Sequence, residues 1–324
     1  MTEQKHLKAL IRARMKRTGE SYTAARRHIV DAAPRLSLTP EREFRAHDKH
    51  CMTAVFVPGD EHIISGGFGG QARIWDREGN RVGELAGHES SVNVIRISAD
   101  GATAITASSD KTVRTWDLPA RTERAVLGRH RRQVLALDLD ATRDRVWSGG
   151  HDGKLQVWSL SGGDLTTTID LGTSVGSVAV RAEDGLVAAS TRDQGIALVA
   201  GEGTIAERIG SGTIIASVAW AADGSFLIGS APAGATIWAA DGWEPVRSLT
   251  TGPGSMLPVA LSPDGSRIAA GWDHHLRLWS ADESAAPVTV DGLPKGVYGL
   301  AFSHDGAWLA LAAADGRVRL YSVT

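Results

Sequence analysis

His130, Ser148 and Asp152 are the three residue types of a nucleophilic triad, in which a hydroxyl attacks, an imidazole takes its proton and a carboxylate orients the ring. His88, Thr106 and Asp110 repeat the trio at the same offsets of 18 and 22 residues. Other groupings also suggest chemistry. Cys51 beside His50 has the makings of an activated thiolate. Asp273, His274 and His275 are metal-ligating types in a row. "GGFGG", residues 66–70, is glycine-rich in the manner of a phosphate cradle.

Each grouping has a structural reading that outweighs the chemical one. The His-hydroxyl-Asp trio recurs, and each time a tryptophan, Trp116 or Trp158, follows 28 residues after the His. Indole has no task in hydrolysis, so a set printed twice reads as a fastener. Cys51 shares a column with Val92, Val134 and Val297, an inward place on a strand where cysteine acts as a small hydrophobe. Adjacent residues entering a strand point to opposite faces, so His274 and His275 do not grip one ion. The glycine loop lacks the Gly-Lys-Ser/Thr that a phosphate loop carries, and serves a turn. The expectation is a chain with no catalytic residues, no metal and no cofactor.

The elements that must position these residues are repeated strands. Anchors at Trp75, Trp116, Trp158, Val199, Trp238, Trp279 and Tyr321 lie 41, 42, 41, 39, 41 and 42 residues apart. Each ends a short alternating stretch such as "QARIW", "KLQVW" or "HLRLW", as a pleated strand demands. A second apolar stretch lies about 25 residues upstream. Between the two, Asp-Gly pairs at 100–101, 184–185, 223–224, 264–265 and 305–306 supply tight turns, because glycine takes positive φ without a clash.

Four short strands per unit of some 41 residues, together with "GH" at Gly87-His88 and "WD" at Trp75-Asp76 and Trp116-Asp117, resemble the WD-repeat β-propeller family. The resemblance implies an all-β, seven-bladed β-propeller over residues 36–324. It also implies that a His before the first strand, a Ser or Thr on the second, an Asp in the following turn and the Trp on the third form a hydrogen-bonded chain. His88, Thr106, Asp110 and Trp116 fit this, as do His130, Ser148, Asp152 and Trp158. The first unit keeps His47, Ser65 and Trp75 but has Gly69 in place of the Asp. Unit six keeps Asp273 with Trp279 and unit seven Asp315 with Tyr321, while units four and five are worn further, with Val199 and Pro232 at anchor and turn. The chain ends on the third strand of a unit, and the spare strand "EREFR", residues 41–45, is expected to pair with it and close the ring.

In that family the residues before the turn Asp and before the first strand reach the narrow face and hold partners. Here these are Phe68, Ser109, His151, Arg192, Trp272 and Ala314, and His50, Ser91, Gln133, Ser174, Ile214 and Ser255, near Arg131 and Arg132. Phe68, His151, Arg192, Trp272, Arg131, Arg132 and His50 make up the expected partner-binding face, several being of types enriched in binding hot spots.

Composition narrows the remainder. One cysteine excludes an intramolecular disulfide framework, and no apolar run approaches the roughly 18 residues of a membrane-spanning helix. A reducing cytoplasm is the expected compartment. Residues 1–30 carry eight Lys or Arg against two Glu within a chain of net charge −2. Leu7, Leu10, Ile11 and Met15 recur at helical spacing, with Lys5, Lys8, Arg12 and Lys16 on another side. Thr18-Gly19 stops that helix and Ser21 caps a second, after which residues 31–40 read as a linker. Residues 1–35 are therefore expected to be a basic helical extension and linker whose apolar stripe lies on the propeller or on a second copy, or which is a second contact for a protein partner. The alternative is a tether to nucleic acid through Lys5, Lys8, Arg12 and Lys16.

Overall fold

The computed structural model describes residues 12, 15, 16, 19–23 and 36–324, apart from 202, 233, 251–255 and 295. Seven four-stranded antiparallel sheets follow one another as the blades of a propeller. Blade 1 is built of Cys51–Phe56, His62–Gly67, Gln71–Asp76 and Arg81–Ala86. Blades 2 to 6 occupy residues 92–129, 134–170, 175–209, 217–250 and 256–290. Blade 7 combines Val297–Phe302, Trp308–Ala313 and Arg317–Val323 with an outer strand from the other end of the chain, Leu38–Arg45.

That outer strand closes the ring, with Pro40 opposite Tyr321 and Glu43 opposite Arg319. It begins earlier than the sequence suggested. Residues 38–40 belong to the strand and not to a linker, because Leu38 is buried against Tyr321 and Val323. Pro40 has no N–H to give the ladder, and the register slips between Pro40 and Arg42. Of the basic extension, Arg12, Met15, Lys16 and 19–23 are described. Gly19 takes φ of 73° and donates its N–H to the Met15 carbonyl. The expected stripe of Leu7, Leu10 and Ile11 lies outside the described residues, as do Lys5 and Lys8.

Apolar side chains fill the spaces between blades. Ile64, Ile74 and Leu85 of blade 1 meet Ile95, Ala104 and Trp116 of blade 2, and a comparable cluster lies at every other blade-to-blade contact. Each fully buried Val, Leu or Ile in such a cluster stabilises by about 1.5–3 kcal/mol. Cys51, Val92, Val134, Val175 and Val297 open their strands, are fully buried, and are each followed at once by a register slip. The slip turns the chain at the rim and sets the residues before it on the propeller's face. The Asp-Gly glycines take φ near 70°, from 69° at Gly224 to 77° at Gly185.

Candidate partner-binding rim

Within blade 2, Trp116 Nε1 donates to Thr106 Oγ1 at 2.8 Å, and Thr106 lies 2.7 Å from His88 Nε2. His88 Nδ1 then lies 2.7 Å from Asp110. Blade 3 copies the chain through Trp158, Ser148, His130 and Asp152 at 2.8, 2.8 and 3.1 Å. The contacts of Ser, His and Asp are those of a catalytic triad, yet the environment forbids the chemistry. Thr106 and Ser148 are completely buried, and each oxygen already accepts an indole N–H, which leaves no approach for a substrate.

Burial lowers the pKa of His88 and His130 despite their Asp partners, so both rings are neutral, donating from Nδ1 and accepting at Nε2. Burial pushes Asp110 upward, but hydrogen bonds from Thr112 and His88 outweigh it and hold the carboxyl at about 2.

In blade 1, Ser65 Oγ takes the Trp75 N–H and lies 2.9 Å from His47 Nε2. Burial, then the Arg73 charge, lowers His47 to about 4.

The other groupings also find structural places. Cys51 is fully buried, and burial pushes its thiol far above the range in which thiolate forms near neutral pH. His274 turns to the Leu293 carbonyl and His275 to Asp291, so the two rings diverge. Among the described residues no three His, Cys, Asp or Glu side chains converge on a metal position.

A recurring backbone bond brings the two sets of rim residues together. The N–H of Phe68 donates to the His50 carbonyl, Ser109 to Ser91, His151 to Gln133, Arg192 to Ser174 and Ala314 to Gly296, all at 2.9–3.1 Å. The turn between second and third strands is thereby tied to the loop entering the first, and both lie on one face. Phe68, His151, Arg192, Arg131 and Arg132 are exposed there. His151 Nδ1 lies 2.9 Å from Ser174 Oγ. His50 is half-buried, bonded through Nδ1 to the Ala314 carbonyl and set edge-on to Phe68 and Tyr298.

Trp272 does not belong to the exposed face. It is 3% exposed, its ring stacked on His275, its partner across the hairpin, and overlain by Arg277. Ile214 is exposed, whereas Ser255 lies outside the described residues.

Two features escaped the reading of the sequence. Tyr298 joins the His50–Phe68 group across the joint between blades 7 and 1. An arginine also stands two residues before four of the anchors, as Arg73, Arg114, Arg277 and Arg319. Arg114 and Arg319 reach the turn Asp of their blades, at 3.8 and 2.6 Å. The repeat "R-x-W/Y" was the available signal.

Residues 38–76, 79–117, 243–280 and 288–322 match the repeat family described as WD domain, G-beta repeat. The chain is similar to autophagy-related protein 16 of Arabidopsis thaliana, with 22% identity over 83% of this chain and 52% of that protein. It is similar to pre-mRNA-processing factor 19 homolog 2 of the same plant, with 24% identity over 81% of this chain and 52% of the relative. A third similarity is to the serine-threonine kinase receptor-associated protein of Dictyostelium discoideum, 26% identical over 80% of this chain and 89% of that one. The chain thus spans about half the length of the first two relatives.

Proposed function

Because this chain is a WD-repeat β-propeller, we propose that it is a non-catalytic platform that binds protein on the rim formed by Phe68, His50, His151, Arg192, Arg131 and Arg132. One observation carries the reading. The His-hydroxyl-Asp sets, the groups best suited to chemistry, are sealed inside blades, while an aromatic and several cationic side chains stand exposed on a single face. Phe and Arg on a rigid frame offer apolar area and multiple donors at low entropic cost. The relatives agree at the coarse level, since the name of one states association with a receptor kinase. The basic extension is a second docking element. The nucleic-acid alternative rests on charge alone, of which Arg12 and Lys16 are described.

The test compares proteins retained from native extract by the wild type and by a Phe68→Ala, His151→Ala, Arg192→Ala variant with an unchanged melting temperature. Loss of at least about tenfold in a specific partner is expected if these are hot spots worth roughly 2 kcal/mol or more. Equal retention would remove the face.

A further inference from the structure

The turn carboxylates of blades 2 and 3 each sit in a cradle of donors. Asp110 takes His88 Nδ1, the Glu89 N–H at 3.1 Å and the Thr112 N–H at 2.8 Å, with the Arg114 guanidinium alongside. Asp152 takes His130 Nδ1, the Arg131 N–H at 2.8 Å and the Lys154 N–H at 3.2 Å. In blade 7 Asp315 takes the Arg317 N–H and Arg319. By offset, the corresponding residues of blade 1 are His47, Asp48, Gln71 and Arg73, and Gly69 stands where the carboxylate belongs.

Blade 1 keeps the His and Arg of the cradle without its carboxylate. His47 is 1% exposed, and its Nδ1 has no hydrogen bond among the described residues. The Phe68 backbone favours the protonated ring, so the His47 side chain lies beside the turn. Arg73 Nε is also buried and unpaired among the described residues. Its terminal nitrogens reach the Ala46 carbonyl and, at 3.3 Å, Gln71 Oε1. Arg73 Nε is a donor, and His47 Nδ1 is one in the tautomer whose Nε2 accepts from Ser65 Oγ; buried without a full hydrogen bond, both lose the hydration they had when unfolded, so an acceptor that reached them would be bound favourably.

The space beside Gly69 allows it. A Cβ placed on Gly69 meets only Gln71 Oε1, at 3.8 Å, and Phe68 and Gly69 are exposed.

We propose that this position in blade 1 binds a carboxylate, supplied by an aspartate or glutamate side chain of a partner docked on the rim, which accepts hydrogen bonds from His47 and Arg73. The proposal rests on the rim being a partner-binding face. A side chain is the fitting source because exposed Phe68 adjoins the donors, so that an acidic residue with an apolar neighbour meets both charge and apolar area.

The test uses the full chain with histidine labelled in the ring nitrogens, the His47 signals being identified by their loss in His47→Gln. Sodium formate, N-acetyl-aspartic acid amide and N-acetyl-asparagine amide are titrated against sodium chloride at equal ionic strength. Formate and the aspartic acid amide are expected to shift His47 Nδ1 saturably, and the asparagine amide and chloride to leave it in place. Gly69→Asp is expected to put Nδ1 at the shifted position and to abolish the response to formate. Should that variant fail to fold, the wild-type titrations decide alone. A His47 resonance indifferent to both carboxylates overturns the proposal. A response to formate but not to the aspartic acid amide overturns the side-chain source. The ring shift is read with no partner present, so a failed retention experiment, which removes the platform, is distinguishable from a failed carboxylate site.

Discussion

His88 and His130 join a hydroxyl on one side to a carboxylate on the other, which a neutral ring does by donating from Nδ1 and accepting at Nε2. Burial lowers the pKa of both and takes His47 to about 4. Unfolded histidine titrates near 6.5, so below about pH 6.5 the unfolded chain holds more protons than the folded one. Their stabilisation is whole above that pH and falls as acid approaches the folded values. Asp110, held at about 2, adds a contribution present above roughly pH 4 and lost on the way down to 2. Urea-unfolding free energy is therefore expected to decline from about pH 6.5 toward 4, and His47→Gln to flatten that decline. A wild-type profile level over this range would contradict the account. The members of these sets were legible from offsets alone. The burial of Trp272 was not, since it depends on His275 and Arg277 folding over the ring.

Among the elements, the strand Leu38–Arg45 has the largest consequence for its size. It covers Arg317–Val323, and Glu43 pairs with Arg317 at 2.8 Å and with buried Arg319 at 2.7 Å. Removing residues 1–45 exposes a whole strand edge and leaves Arg319 only Asp315 as a carboxylate partner among the described residues. Removing residues 1–35 leaves the pairing intact. The shorter deletion is expected to melt within a few degrees of wild type, and the longer one to lose cooperative unfolding and self-associate, as scanning calorimetry and light scattering would show. Equal behaviour would mean that closure contributes little. "EREFR" announced its role through a missing strand at the other end of the chain. Its true start at Leu38 was hidden, because Pro40 and the shifted register interrupt the alternation.

Across the whole molecule the blades are not equal. Blades 2 and 3 hold complete hydrogen-bonded sets, whereas in blade 4 Val199 replaces the anchor and the Ser190 hydroxyl is buried without a partner among the described residues. A buried unsatisfied hydroxyl costs about 1–3 kcal/mol. Hydrogen exchange is accordingly expected to be faster, by roughly tenfold or more, in Val187–Thr191 of blade 4 than in Thr103–Ser108 of blade 2 or Arg145–Gly150 of blade 3. Uniform protection around the ring would show that apolar packing alone governs opening.

The sequence by itself determined the number of blades, their strands and the sets that fasten two of them. These depend on alternation within a strand and on a spacing near 41 residues, both local or periodic properties that a linear reading retains. Only the tertiary structure decided which rim side chains face outward and that His47 Nδ1 and Arg73 Nε are buried without a hydrogen-bond partner among the described residues. Those outcomes depend on packing between residues distant in the chain, where one ring over another decides exposure, and no periodicity in the sequence encodes them.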